Sequence, residues 1–299
     1  MPPTPLAVRL PALAVLLVLS ASAASAQRQL TTPLASPHAR VVQAVGLTEL
    51  AVDYHRPAVN GRAVWGELVP YGEVWRAGAN ENTVFTTSTD IQVEGAALPA
   101  GTYGLHMIPT DRDWTVIFST VSEAWGSYSY DPSEDALRVV VAPRDAPPQE
   151  RLGYRFDAPD DDSALLVLHW AGREVPVRIG VDTPAVVLAS MERELRGVAG
   201  FFPEGWDQIA AYALDEGRRL DDALAWADRS VELRPGFANQ MTRAGLLDAL
   251  GRPAEAAEAR DAAYADASEE DVRSYARARR RAGDATGADA ALERLGGRP

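Results

Sequence analysis

The sequence predicts an α+β protein: an antiparallel β-sandwich or jelly-roll-like domain, then a short α-helical repeat domain. Three observations carry this expectation. Residues 37–182 alternate short runs rich in Val, Thr, Tyr and Trp with turn signals. At Pro184 the composition turns to Ala, Leu, Glu, Asp and Arg with a helical apolar period. Gly217 and Gly251 then recur 34 residues apart, as do Ala223 and Ala257, small residues at which paired helices are expected to approach closely.

The first 26 residues read as a secretory signal. Arg9 supplies the positive start, Leu10–Leu19 a short apolar run, and Ala24-Ser25-Ala26 a small-residue cleavage site. The expected mature chain begins near Gln27 and reaches the first domain through a linker over 27–36. No cysteine stands at the cleavage point to take a lipid, and the apolar run is too short to span a bilayer. Periplasm or extracellular medium is therefore the expected location, with no integral membrane segment after cleavage.

The chain has no cysteine, so packed cores rather than disulfides must hold it, and thiolate catalysis and Cys-type zinc sites are excluded. Its net charge of −13 becomes −14 once Arg9 is removed, which argues against nucleic acid or an anionic membrane as the main partner. Every basic residue is Arg; without lysine there is no Schiff-base chemistry.

Within the β region, Leu50, Val52 and Tyr54 alternate with Ala51, Asp53 and His55 until Pro57 stops the strand, and Asn60-Gly61 marks a tight turn. Gly101–Pro109 and Trp114–Ser119 flank a polar link and read as a hairpin. Arg138–Ala142, Leu152–Asp157, Ala164–Trp170 and Val175–Val181 supply further strands. Many short strands without intervening helices favour two packed sheets, with a barrel as the alternative.

In the tail, Trp206, Ile209, Ala210, Ala213 and Leu214 form one apolar stripe and Leu220, Leu224, Ala227 and Val231 another, ending at Pro235-Gly236. With Gly217, Ala223 and Pro235 the first copy resembles a tetratricopeptide repeat. A weaker copy holds Ala244, Gly245, Gly251 and Ala257; residues 271–282 and 284–295 suggest a third, capping pair. Such an array offers a groove for a peptide or protein partner, or else covers one side of the β-domain.

The most unusual stretch runs from Val69 to Thr83, where Trp75-Arg76-Ala77-Gly78-Ala79-Asn80 lies among turn-forming glycines. Arg56-Pro57, Gly61-Arg62 and Trp65-Gly66 precede it; Leu98-Pro99-Ala100-Gly101-Thr102-Tyr103, Ile108-Pro109, Trp114-Thr115-Val116-Ile117 and Asp135-Ala136-Leu137-Arg138-Val139 follow. These motifs, in this order, resemble the domain of unknown function numbered 2911 over most of residues 36–182. The resemblance implies an exported bacterial protein, often with tetratricopeptide-like helices behind the domain, and names no activity. His55 stands where that family more often has a small polar residue, and His106 at a variable position.

Two accounts of the stretch are open. In one, Trp65 and Trp75 wall a pocket while Arg62, Arg76, Asn80, Glu81, Tyr128 and Asp135 present polar edges. That mixture suits a small-molecule or glycan ligand, since aromatic faces stack on sugar rings and polar groups orient carboxylates. In the other, Arg76 pairs with Asp135 or Glu81 and Asn80 bonds loop backbone, as a long loop requires. No G-x-S-x-G elbow and no H-x-H or H-E-x-x-H spacing is present, so no catalytic residue, cofactor or metal is assigned. Three functions are thereby expected in order: an exported binding or interaction protein, an envelope hydrolase of glycan or peptide using Glu73, Glu81 or Asp135 beside Arg76, and a structural envelope component.

Overall fold

The computed structural model describes residues 32–296 apart from 158 and 282. The signal expected over 1–26 lies outside the described residues, as does the first half of the linker, 27–31. Residues 35–299 form one compact unit.

Among the described residues, twelve strands build two antiparallel sheets. They are β1 His38–Val45, β2 Thr48–His55, β3 Thr83–Thr87, β4 Ile91–Val93, β5 Ala96–Leu98 and β6 Gly101–Ile108; then β7 Trp114–Ser119, β8 Asp135–Val141, β9 Arg144–Asp145, β10 Gly153–Asp157, β11 Ser163–Trp170 and β12 Arg173–Gly180. The first sheet runs β1-β2-β3-β6-β7-β8 and the second β10-β11-β12-β4-β5, with β9 on the far part of β12. The hairpin of β6 and β7 pairs Gly104 with Ser119 and Ile108 with Thr115. Leu50, Val52, Tyr54, Phe85, Tyr103, Leu105, Met107, Val116 and Phe118 of the first sheet share one core with Leu166, Leu168, Val175, Val177 and Ile179 of the second. Alternation dictates this: on β6, residues 103, 105 and 107 face the core, so Gly104 and His106 face outward.

Among the described residues seven α-helices follow: α1 Thr183–Glu194, α2 Pro203–Asp215, α3 Leu220–Leu233, α4 Phe237–Ala249, α5 Pro253–Asp266, α6 Glu269–Arg281 and α7 Ala285–Gly296. Asp182 caps α1 by accepting from the Ala185 amide, and prolines open α2 and α5 where no amide donor is needed. α1 joins the two parts: Val186 packs on the sandwich core, while Leu188 belongs to the helical core of Ile209, Ala213, Leu224, Ala227 and Leu246. A buried polar link ties three helices, Ser230 Oγ donating to Pro203 O (2.8 Å) and Asn239 Nδ2 to Ser230 Oγ (2.9 Å). Among the described residues no helix is long and apolar enough to cross a membrane.

The repeat reading needs one adjustment. Gly217 and Gly251 do not let helices approach; a Cβ there meets nothing within 4 Å, and both have left-handed backbone (φ 62° and 74°). They end α2 and α4 as C-terminal caps. Close approach occurs at Gly245, where a Cβ would lie 2.8 Å from Leu214 of α2. Ala257 is exposed; the buried counterpart of Ala223 is Ala256, because the turn before α5 is one residue shorter.

Candidate functional site

Trp65 and Trp75 brace the fold rather than wall an open cavity. Trp65 meets Trp114 (4.7 Å), Trp170 (5.6 Å) and Trp75 (5.8 Å) edge to face, and Trp75 stacks on Trp170 at 6.0 Å. Trp114 and Trp170 come from β7 and β11, so the cluster knits the 58–80 segment to both sheets. Trp75 also exchanges backbone hydrogen bonds with Met107 (2.8 Å each), and its indole N–H donates to Gly78 O (3.1 Å).

The rest of the motif is likewise anchored. Ala77 is fully buried with φ 50°, and its carbonyl accepts from Tyr154 OH (2.8 Å) and Thr83 Oγ1 (3.2 Å). Asn80, with φ 58°, donates to Ser36 O at 3.2 Å and so ties the loop to the segment before β1. Arg62 bonds Ala58 O (2.6 Å) and Val59 O (3.0 Å), bracing its own turn. Glu81 stands 3.5 Å from His55 Nδ1 without a hydrogen bond to it. Burial lowers the pKa of His55, while Glu81 partly opposes that shift.

Arg76 pairs with neither Asp135 nor Glu81. Its Nε is buried without a hydrogen-bond partner, and its guanidinium runs under the loop that follows β7. A Cβ on Gly126, whose φ of 69° already favours glycine, would lie 2.7 Å from Arg76 Nη1 and 3.4 Å from the Tyr128 ring, so a larger residue would displace the guanidinium end. Arg76 and Tyr128 are thus two of the expected site residues that the fold brings together. Beside them Trp125 is 60% and Tyr128 85% exposed, whereas the other β-domain tryptophans pack inward.

Asp135 sits on the other flank of this loop. It accepts from Tyr130 OH at 2.7 Å and from Arg138, whose guanidinium also reaches Tyr130 OH. Burial, reinforced by the Asp135 hydrogen bond, pushes the Tyr130 hydroxyl up to about 12. Glu73 is exposed, and the three candidate carboxylates Glu73, Glu81 and Asp135 have separate surroundings.

The residue that sequence reasoning passed over is His106. It faces away from the core, yet the 120–134 loop closes over it and leaves it 2% exposed. Its Nδ1 lies 2.9 Å from Ser127 Oγ and its ring 5.3 Å from Tyr130. Burial holds its pKa down at about 4, although Asp135 pulls the other way. Asn82 fastens the same loop, its backbone N–H donating to Ala124 O at 3.1 Å. His55, His106 and His169 do not meet: His55 is beside His38, and His169 beside Glu174 and Pro147 O. Among the described residues no cluster suits a metal ion.

A two-sheet antiparallel domain followed by helical pairs defines the class of this chain. The family model described as "Protein of unknown function (DUF2911)" matches residues 36–179. That match covers the β-domain, 144 of the chain's 299 residues. No curated protein and no solved structure matches the chain.

Proposed function

We propose that the chain is an exported binding protein that captures an anionic, ring-bearing ligand, such as a uronic-acid oligosaccharide, on the 120–134 loop face. The observation that carries this reading is Arg76, whose buried Nε lacks an acceptor. Arg76 is half-buried and has no ion-pair partner among the described residues, which leaves its outer Nη groups to donate to a ligand carboxylate. Trp125 and Tyr128 offer exposed faces on which a pyranose ring stacks. In this reading residues 1–26 are the export signal, and the helical pairs are tetratricopeptide-like repeats that take a protein partner.

The test is a fluorescence titration of the protein with trigalacturonate and with a neutral trisaccharide. The charged sugar quenches Trp125 emission, and Arg76→Gln weakens that response at least about tenfold without lowering the melting temperature. Equal response to both sugars, or none to either, refutes the reading. Recovery of a mature N-terminus at Gln27 from the exported fraction checks the location.

A second reading, hydrolysis, is favoured by the Ser127 Oγ to His106 Nδ1 distance of 2.9 Å, which is nucleophile-to-base geometry. Labelling of Ser127 by a fluorophosphonate, lost in Ser127→Ala, would support it; absence of labelling leaves this contact as a loop anchor.

A further inference from the structure

We infer that the turn between α1 and α2 is a membrane-contact surface that seats on anionic phospholipid. Val198, Phe201 and Phe202 are 74%, 78% and 53% exposed, a concentration of apolar side chains within five residues. A monomeric surface rarely leaves such a patch without a use. The exposure does not come from looseness. Trp206 Nε1 donates to Gly200 O at 2.9 Å, pinning the turn from its inner side. A Cβ on Gly205 would lie 2.7 Å from Ala199 O, and one on Gly200 would collide with Leu195 O. The backbone is packed as closely as it can be, and the phenylalanines are held outward by it.

Charge selects the occupant. Twelve arginines of the helical part are ion-paired, from Arg218 to Arg294. Arg193 and Arg196, directly before the turn, are exposed and have no ion-pair partner among the described residues. Of the neighbouring acids, Glu192 pairs with Arg219 and Glu204 with Arg234, while Glu194 accepts from Ser190 Oγ and keeps its charge, leaving the two arginines in local excess by one. Behind the two arginines lies a cleft of about 440 Å³ lined in part by Trp206 and Trp226. Free cations at headgroup level, indoles beside them and apolar tips beyond them are the composition of an interfacial anchor. The chain's net charge of −13 opposes approach elsewhere, so contact is local, reversible and oriented by this corner.

The test uses residues 27–299, because the apolar run before them would itself bind lipid and residues 35–299 form a compact unit alone. The protein should co-sediment with vesicles of phosphatidylcholine and phosphatidylglycerol, and far less with phosphatidylcholine alone. Phe201→Ser with Phe202→Ser should lower the partition at least about tenfold, two exposed phenyl rings being enough for that. Arg193→Gln with Arg196→Gln should remove the dependence on phosphatidylglycerol and on salt. Phe201→Trp should keep binding, with its emission moving to the blue on charged vesicles. Failure to co-sediment, indifference to lipid charge, or unchanged binding in the serine variant overturns the inference. So does loss of self-association, rather than of vesicle binding, in that variant, which would assign the corner to a protein contact.

Discussion

Acidifying the protein tests the closed loop over β6. His106 is held neutral, its pKa lowered from 6.5 to about 4 chiefly because burial strips water from the imidazolium. The unfolded chain takes up the proton near 6.5, and the folded chain only near 4. The unfolded state therefore binds more protons in that window. This contribution is present in full above 6.5 and is lost as pH falls toward 4. Linkage between those values gives a loss of about 2 kcal/mol from roughly pH 7.5 to pH 5. Urea unfolding followed by tryptophan fluorescence at both pH values measures it. His55 and the other histidines titrate as well, so the comparison is with His106→Asn, whose amide oxygen can accept from Ser127 without titrating. The pH-dependent loss should be smaller in the variant by about that 2 kcal/mol. Identical losses in the two proteins would show that His106 is not desolvated by the 120–134 loop, and the reasoning would fail.

Gly126→Ala places a Cβ 2.7 Å from Arg76 Nη1 at a φ of 69°; it should cost about 1–2 kcal/mol and abolish the sugar response, read by thermal melting and titration. Trp75→Ala removes one member of the tryptophan cluster and should cost about 3–5 kcal/mol by urea denaturation. Tyr154→Phe leaves the Ala77 carbonyl with one donor fewer in a fully buried place and should cost about 1–2 kcal/mol. Gly217→Ala and Gly251→Ala should each cost about 1 kcal/mol and no more, because open space surrounds both and the backbone alone resists. A much larger loss at either would return these glycines to a packing role.

How far the sequence carried can be argued from particular residues. Alternation placed Leu50, Val52 and Tyr54 in the core because that signal is local, whereas the 34-residue recurrence of Gly217 and Gly251 read as helix contact and instead marks the ends of α2 and α4. Beside β10 to β12, the second sheet contains β4 and β5, three residues each joined by the left-handed pair Glu94-Gly95, too short for any periodicity to register. The Trp75–Asn80 stretch was legible as exceptional but ambiguous in purpose. Its tryptophans find their partners on β7 and β11, and Ala77 finds Tyr154 from β10, so the anchoring exists only once both sheets have closed. His106 shows the opposite failure. An outward position on β6 reads as solvent-facing, and nothing in the pattern tells that the segment after β7 will fold back across it, held by Asn82 and Ser127. That same fold-back slides Gly126 over Arg76 and leaves the guanidinium as the unanswered charge of the motif. Folding thus accounts for Trp75, Ala77 and Asn80 almost completely and leaves Trp65 Nε1 and Arg76 Nε as buried donors without a partner, with Trp125 and Tyr128 exposed beside Arg76. The proposed ligand addresses the Arg76 part of this remainder, because a buried donor without a partner is a cost that folding leaves in place.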